Sequence, residues 1–148
     1  MSAESELAAF VEKFAPPMQE RIRGCRAAMR RRLPNAIELV YDNYNFLVIG
    51  YGPTQRTSEA VFSLAAHARG LNLCFLQRGP ELPDPTAILR GSGKVVRNVR
   101  LESVDDLGRD DVRALIDAEL GLATVPMDDS TVPVLIIKSV SAKQRPRR

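Results

Sequence analysis

Apolar residues recur at helical spacing over the first part of the chain, in two stripes separated by prolines. The first stripe has the i, i+3, i+4, i+7 spacing of one buried helix face and consists of Leu7, Phe10, Val11 and Phe14. It predicts a helix over residues 5–14, which ends before Pro16 because proline has no amide hydrogen to donate. The second stripe predicts a helix over residues 17–32 and consists of Met18, Ile22, Cys25, Met29 and Leu33.

Short alternating segments follow, and they predict strands joined by tight turns. In the first strand, residues 36–42, one face carries Ile37, Leu39 and Tyr41 and the other carries Glu38 and Asp42. Asn43-Tyr44-Asn45 suits a turn, since asparagine tolerates left-handed backbone geometry. Three further strands are predicted over residues 46–51, 60–66 and 71–77, the last two as a hairpin around residues 67–70.

The residue pattern in the second half of the chain predicts two helices and one or two strands. Asp84 suits a helix N-cap and Pro85 a first helical residue, so residues 86–90 are predicted as a short helix. Gly91-Ser92-Gly93 then turns the chain into a strand over residues 94–101. One helical turn over residues 103–107, a helix over 110–120 and an edge strand within 134–137 complete the prediction. Consecutive strands with tight turns favour an antiparallel meander and an α+β fold of about five strands.

Length and charge divide the chain into a domain and a tail. A chain of 148 residues is typical of one domain, predicted over residues 1–137. The last 11 residues hold five positive charges and no acid, whereas the other 137 hold 16 Lys and Arg against 18 Asp and Glu. Residues 138–148 are therefore predicted to be a flexible basic tail, with a nucleic-acid-binding arm as the alternative. That arm would use Lys138, Lys143, Arg145, Arg147 and Arg148.

The remaining composition excludes several classes of protein. No apolar run reaches the length of a membrane span and the first residues are acidic, so a soluble cytoplasmic protein is expected. Two distant cysteines and one histidine, His67, do not make a zinc motif, and the thiols are predicted to be inert. No nucleophile–base pattern is visible, so no catalytic residue and no cofactor is assigned. Gly91–Lys94 is not a P-loop, because Val95 stands where Ser or Thr is required.

Arg97 is the most informative candidate for binding chemistry. Period two places it on the same strand face as Val95, Val99 and Leu101, where a guanidinium needs a partner. The partner is either a carboxylate of the chain (Glu38, Asp42 or Asp84) or an anionic ligand at the mouth of a pocket. The candidate ligand-binding residues are Asp42, Tyr44, Asn45, Lys94, Arg97 and Arg100.

Acidic residues after this strand offer a second kind of site. Glu102, Asp105 and Asp106 are oxygen ligands of the type that hard cations prefer. The alternative is that they are ordinary acids at helix N-termini, where the helix dipole favours negative charge.

Four segments of the chain resemble the YdhG-like family, a bacterial domain of unknown function. They are E-L-V-Y-D-N-Y-N (38–45), L-P-D-P (82–85), G-S-G-K-V-V-R-N-V-R-L (91–101) and I-K-S-V-S-A-K-Q-R-P-R-R (137–148). The resemblance implies an antiparallel sheet with helices packed on one face. It also implies a link to iron, because one member has been described as a frataxin-like iron chaperone.

Three functional hypotheses follow from these observations. The first is a small non-enzymatic binding module with a pocket near Tyr44, Lys94 and Arg97 for a small anionic ligand or a partner peptide. The second is an iron-binding chaperone that uses the carboxylates after residue 101. The third is a nucleic-acid accessory protein that uses the basic tail.

Overall fold

The two N-terminal helices form where the apolar stripes predict them. In a computed structural model that describes residues 1–148, α1 spans Ala3–Glu12 and α2 spans Pro16–Arg32. The Ser2 hydroxyl accepts a hydrogen bond from the Ser5 amide and caps α1. Both stripes are buried, so the two helices present their apolar faces to one core.

Six strands form one sheet, which confirms the predicted α+β fold with about five strands. They are β1 (Ile37–Asp42), β2 (Leu47–Gly52), β3 (Phe62–His67), β4 (Gly70–Phe75), β5 (Arg97–Arg100) and β6 (Leu135–Val140). The order across the sheet is β5-β4-β3-β2-β1-β6. All neighbours are antiparallel except β6, which pairs in parallel with β1 as an edge strand.

Helices cover the sheet face that carries the long apolar side chains of the central strands. α1 contacts β6, and α2 contacts β3 and β4. A third helix, α3 (Asp110–Leu122), adds its own buried side chains to the same core. The apolar core on this face includes Ile49, Leu64, Leu73 and Val99. No helix is both long enough and apolar enough to span a membrane.

The covered face of β1 carries its two acids. Glu38, Val40 and Asp42 pair with Tyr51, Ile49 and Leu47, which face the helices. Leu39 lies on the opposite face and is also fully buried. The 53–60 segment lies against the face that carries Leu39 and Tyr41. There the Tyr41 hydroxyl contacts the Thr57 hydroxyl at 2.5 Å. β1 is therefore buried on both sides, with both carboxylates inside the protein.

A close backbone approach explains the glycine at the end of β2. A Cβ atom on Gly52 would lie 2.9 Å from the Ala60 Cα atom. A side chain at this position would force the strand away from the segment that covers it.

The stretch before β5 differs from its prediction. No helix forms over residues 86–90, because the Asp84 carboxylate accepts hydrogen bonds from the Ile88 and Leu89 amides at 2.9 and 3.0 Å. Ala87 adopts a φ of 56°, which breaks a helical path. β5 is also shorter than predicted, and residue 94 lies outside it.

Two further predictions need correction near the C-terminus. α3 begins at Asp110, as predicted, but it continues to Leu122, two residues beyond its predicted end. The prediction of a flexible tail from residue 138 is also wrong, because Lys138 lies in β6. Residues 141–148, here called the C-terminal segment, lie against the domain.

Candidate functional site

Strand register brings three loops together at one end of the sheet. Leu47 pairs with Ala66, so the β1–β2 turn lies beside the β3–β4 hairpin. Asp42 pairs with Val140, so the C-terminal segment leaves β6 at the same end. Three parts of the chain that are distant in sequence therefore meet around one concave surface.

That surface is a cleft of about 750 Å³, here called the cationic cleft. Its lining includes three arginines and one histidine and no carboxylate side chain: Tyr44, Asn45, Phe46, His67, Ala68, Arg69, Arg145, Pro146 and Arg148. None of the three guanidinium groups forms a salt bridge with an acid of the chain, whereas eight of the other fourteen arginines do. The cleft therefore brings together three guanidinium groups that form no ion pair with a carboxylate of the chain.

Tyr44 and Arg145 form one wall of the cationic cleft. The Arg145 amide donates to the Tyr44 carbonyl at 2.8 Å, which ties the C-terminal segment to the β1–β2 turn. The Arg145 guanidinium carbon lies 5.7 Å from the centre of the Tyr44 ring, within cation–π range. Tyr44 is 49% exposed, so its ring remains accessible to a ligand.

His67 and Arg69 form the opposite wall, on the β3–β4 hairpin. The His67 Nδ1 atom accepts a hydrogen bond from the Arg69 amide at 3.2 Å, so a neutral ring carries its proton on Nε2. Burial and the charges of Arg100 and Arg69 lower the pKa of His67. Arg100 lies behind this wall, where it donates to the Arg69 carbonyl at 2.5 Å.

An ion-pair cluster beneath the cleft holds the C-terminal segment in place. Arg147 donates to the Asp42 carboxylate at 2.9 Å, and Lys13 donates to its other oxygen at 2.7 Å. Asp42 is fully buried and the Arg147 side chain is 3% exposed. Burial opposes ionisation of Asp42, but the hydrogen bonds from Lys13, Gln144 and Arg147 prevail and lower its pKa. The acid and its partners thus lock the segment that carries two of the cleft arginines.

The predicted ligand-binding residues separate into two groups. Tyr44 and Asn45 line the cationic cleft, and Asp42 lies beneath it as an ion-pair partner. Arg97 pairs with Phe75, at the far end of β4 from the hairpin, and Lys94 lies still further along. The structure therefore does not form the pocket predicted near Tyr44, Lys94 and Arg97.

Arg97 satisfies its guanidinium locally. It donates to the carbonyls of Gly93 and Val96, at 2.5 and 2.9 Å, and forms no ion pair with the acids predicted as its partners. Its stem packs over Gly79, where a Cβ would lie 2.7 Å from the Arg97 Cγ atom. These contacts give Arg97 a part in closing the loop before β5.

The acids predicted as an alternative metal site serve the backbone and neighbouring arginines. The Asp106 carboxylate accepts hydrogen bonds from the Glu102 and Ser103 amides, and it completes a capping box with Ser103. Glu102 lies 3.5 Å from the Arg100 guanidinium. The structure contains no group of three or more His, Cys, Asp or Glu side chains arranged to hold a metal ion, so Asp105 and its neighbours do not form one.

The basic residues of the predicted tail lie in several different environments. Arg145 and Arg148 line the cationic cleft, and Arg148 also donates to the carbonyls that end α1. Arg147 is buried, which removes it from the set of predicted nucleic-acid contacts. Lys138 donates to the Gln55 carbonyl at 3.3 Å, and Lys143 is exposed.

His67 and Arg69 were not predicted from the sequence as residues of a binding site. The signal was their position in the H-A-R-G turn of a predicted hairpin, which places both side chains at a strand end. Only the register of β2 with β3 shows that this turn faces Tyr44.

No protein-family model, no curated protein and no solved structure matches the chain. The structure itself shows an α+β domain with a cleft at one end of a six-stranded sheet, lined by three arginines that form no ion pair. The YdhG-like resemblance stays a prediction.

Proposed function

We propose that this protein is a non-enzymatic binding module that takes a small anionic ligand in the cationic cleft. The observation that carries the proposal is the convergence of Arg69, Arg145 and Arg148 on one cleft without a single carboxylate side chain in its lining. Guanidinium groups bind carboxylate and phosphate oxygens through paired N–H donors. Charge of one sign in a concave site also raises the local concentration of an oppositely charged ligand.

The remaining lining residues suit recognition of a small molecule. Asn45 adds amide donors and an acceptor, and His67 presents an N–H from Nε2 when it is neutral. The volume of about 750 Å³ lies within the range of roughly 300–1,000 Å³ that small-molecule sites occupy. The lining contains no Ser, Cys, Asp or Glu that would act as a nucleophile or carboxylate base, which favours binding over catalysis.

Titration calorimetry with inorganic phosphate and with sulfate tests this proposal. The wild-type protein should bind both anions saturably, and Arg145→Gln and Arg148→Gln should each weaken binding about tenfold, the equivalent of about 1.4 kcal/mol. Lys143→Gln is the matched control, because it removes an exposed charge of the same segment outside the cleft. Absence of saturable binding, or an equal loss in Lys143→Gln, would contradict the proposal.

The same assay has a pH dependence that reports on His67. Its pKa is lowered in the free protein, and an anion beside the ring favours the imidazolium. Sulfate affinity should therefore rise as pH falls through the region of the ordinary histidine pKa of about 6.5. His67→Gln should make the affinity independent of pH there, since sulfate and the arginines do not titrate in that range.

Binding of single-stranded nucleic acid is the second candidate, and the exposed ring of Tyr44 favours it. A base stacks on an aromatic face while cations contact its phosphates, and Tyr44 lies among the cleft arginines. This candidate predicts binding of a short single-stranded oligonucleotide that weakens steeply with salt. Tyr44→Ala should reduce oligonucleotide affinity but leave sulfate affinity unchanged, and equal effects on both would exclude stacking.

A further inference from the structure

A second concave surface lies between α2 and α3. A short 3₁₀ helix, Val104–Gly108, contacts both of these helices. The three elements enclose a groove of about 540 Å³, here called the α2–α3 groove. None of its lining residues belongs to the cationic cleft, so its chemistry is independent of the anion site proposed above.

The floor of the α2–α3 groove is aliphatic and consists of Ala28, Met29, Val104, Leu107 and Ile116. Met29 and Ile116 belong to the core, whereas Val104 is 37% exposed. Val104 is held against α2, where a Cβ on Gly24 would lie 3.5 Å from the Val104 Cβ atom. The lining contains no aromatic residue. The floor therefore offers contact to an aliphatic side chain but no ring on which a base could stack.

Charged residues complete the lining, four arginines and one acid: Arg31, Arg32, Asp105, Arg109 and Arg113. Two of these arginines already have acidic partners that lie outside the groove. Arg32 pairs with Asp117 of α3, and Arg109 pairs with Asp111 at 2.7 Å. These two ion pairs fix guanidinium groups along the groove and use their charge within the protein.

Arg31 and Arg113 have no such partner, although they come from different helices. Neither side chain forms a salt bridge or a hydrogen bond within the protein, and Asp105 pairs with neither of them. The last turn of α2 favours a cation such as Arg31, because the helix dipole is negative there. Arg113 is the fourth residue of α3, near the positive end of that helix, where a cation gains nothing from the dipole. The groove thus keeps two guanidinium groups available to an external acid.

We propose that the α2–α3 groove docks an acidic peptide segment of a partner protein. An aliphatic side chain of the segment would cover Val104 and the floor, and flanking carboxylates would pair with Arg31 and Arg113. Inorganic phosphate would leave the floor uncovered, and a single-stranded nucleic acid would find no aromatic ring. A basic peptide would meet four arginines and a single acid. Charge complementarity and the aliphatic floor together select an acidic peptide.

Chemical-shift titration of the ¹⁵N-labelled protein with the peptide acetyl-Glu-Glu-Leu-Leu-Glu-Glu-amide tests this surface. The peptide should bind saturably and shift amides of residues 28–32, 104–109 and 113–116. Arg31→Gln and Arg113→Gln should each weaken binding about fivefold, the equivalent of about 1 kcal/mol for an exposed ion pair. Both variants should unfold within about 2 °C of the wild type, because neither side chain has a polar partner in the protein.

Matched controls separate the two parts of the recognition and the two clefts. Replacing both leucines of the peptide by serine keeps its charge, and replacing its glutamates by lysine reverses the charge; either change should weaken binding about tenfold or more. Arg23→Gln removes an α2 arginine outside the groove and Arg145→Gln a cationic-cleft arginine, and both should bind the acidic peptide as the wild type does. The inference is overturned if the acidic peptide does not bind saturably, if Arg31→Gln and Arg113→Gln bind it equally well, or if the serine peptide or a short single-stranded oligonucleotide shifts the same amides with equal affinity.

Discussion

Substitution of the residues that form the ion pairs around Asp42 is the most direct test of how the structure is held together. Asp42 closes β1, and its carboxylate joins α1 through Lys13 to the C-terminal segment through Arg147. The Asp42 and Arg147 side chains are almost completely buried. Asp42→Asn and Arg147→Met both keep side-chain volume while removing one charge of the pair.

The two substitutions should differ in cost because they leave different groups behind. Asp42→Asn leaves Arg147 buried without a carboxylate, with its Nε and Nη1 atoms already unpartnered, and should cost about 3–5 kcal/mol. Arg147→Met leaves Asp42 paired with Lys13 at 2.7 Å and keeps an apolar stem near the Phe14 ring. Its cost should be smaller, about 1.5–3 kcal/mol, since one charged hydrogen bond to Asp42 is lost.

Urea unfolding of the wild type, both single variants and the double variant measures these costs. The double variant should be more stable than the sum of the single effects implies, with a coupling of roughly 1–3 kcal/mol. Each kcal/mol should lower Tm by about 2–4 °C in a chain of this size. Lys143→Met is the control, and it should change stability by less than about 0.5 kcal/mol because residue 143 is exposed.

The pH dependence adds an independent check with a defined sign. The pKa of Asp42 is lower in the folded protein than in the unfolded chain, so its stabilising effect is complete above the unfolded value of about 3.9. It is lost as pH falls through the folded pKa. The stability difference between the wild type and Asp42→Asn should therefore shrink on acidification below about pH 4.

Three results would refute this reasoning. Strictly additive costs would show that Asp42 and Arg147 do not interact in solution. A stability difference that does not change with pH would mean that the Asp42 carboxylate is not held in its charged form by its partners. Removal of residues 141–148 by limited proteolysis without loss of stability would mean that the C-terminal segment is not docked.

Two further predictions concern close packing and thiol chemistry. Gly52→Ala should cost about 1–3 kcal/mol, measured by urea unfolding, because its Cβ would lie 2.9 Å from the Ala60 backbone. Gly93→Ala should be neutral within about 0.5 kcal/mol, since a Cβ there meets nothing within 4 Å, and equal costs at both glycines would contradict the packing argument. Burial raises the pKa of Cys25 to about 11, so it should react with a thiol reagent at pH 8 only after unfolding, and rapid reaction in the native protein would disprove its burial.

The site was much harder to predict from sequence than the fold. Helical stripes and alternating strands are local patterns, and they placed α1, α2 and the β3–β4 hairpin within a few residues. Tyr44 and Asn45 were identified as candidates because a turn between strands exposes polar and aromatic groups. Arg97 was predicted to need a charged partner, but the carbonyls of its own loop serve instead, a contact that spacing alone does not show.

By itself, the sequence determined the α+β class, the succession of elements and the alternation of side chains along each strand. Each of these depends on residues within one or two turns of each other. Tertiary structure alone decided which face of β1 the helices cover, and so that Glu38 and Asp42 are buried. Asp42 finds Arg147 105 residues further along the chain, and the cationic cleft likewise depends on the register of separate strands. A buried charge needs a partner from wherever the fold brings one, and no local pattern identifies that partner.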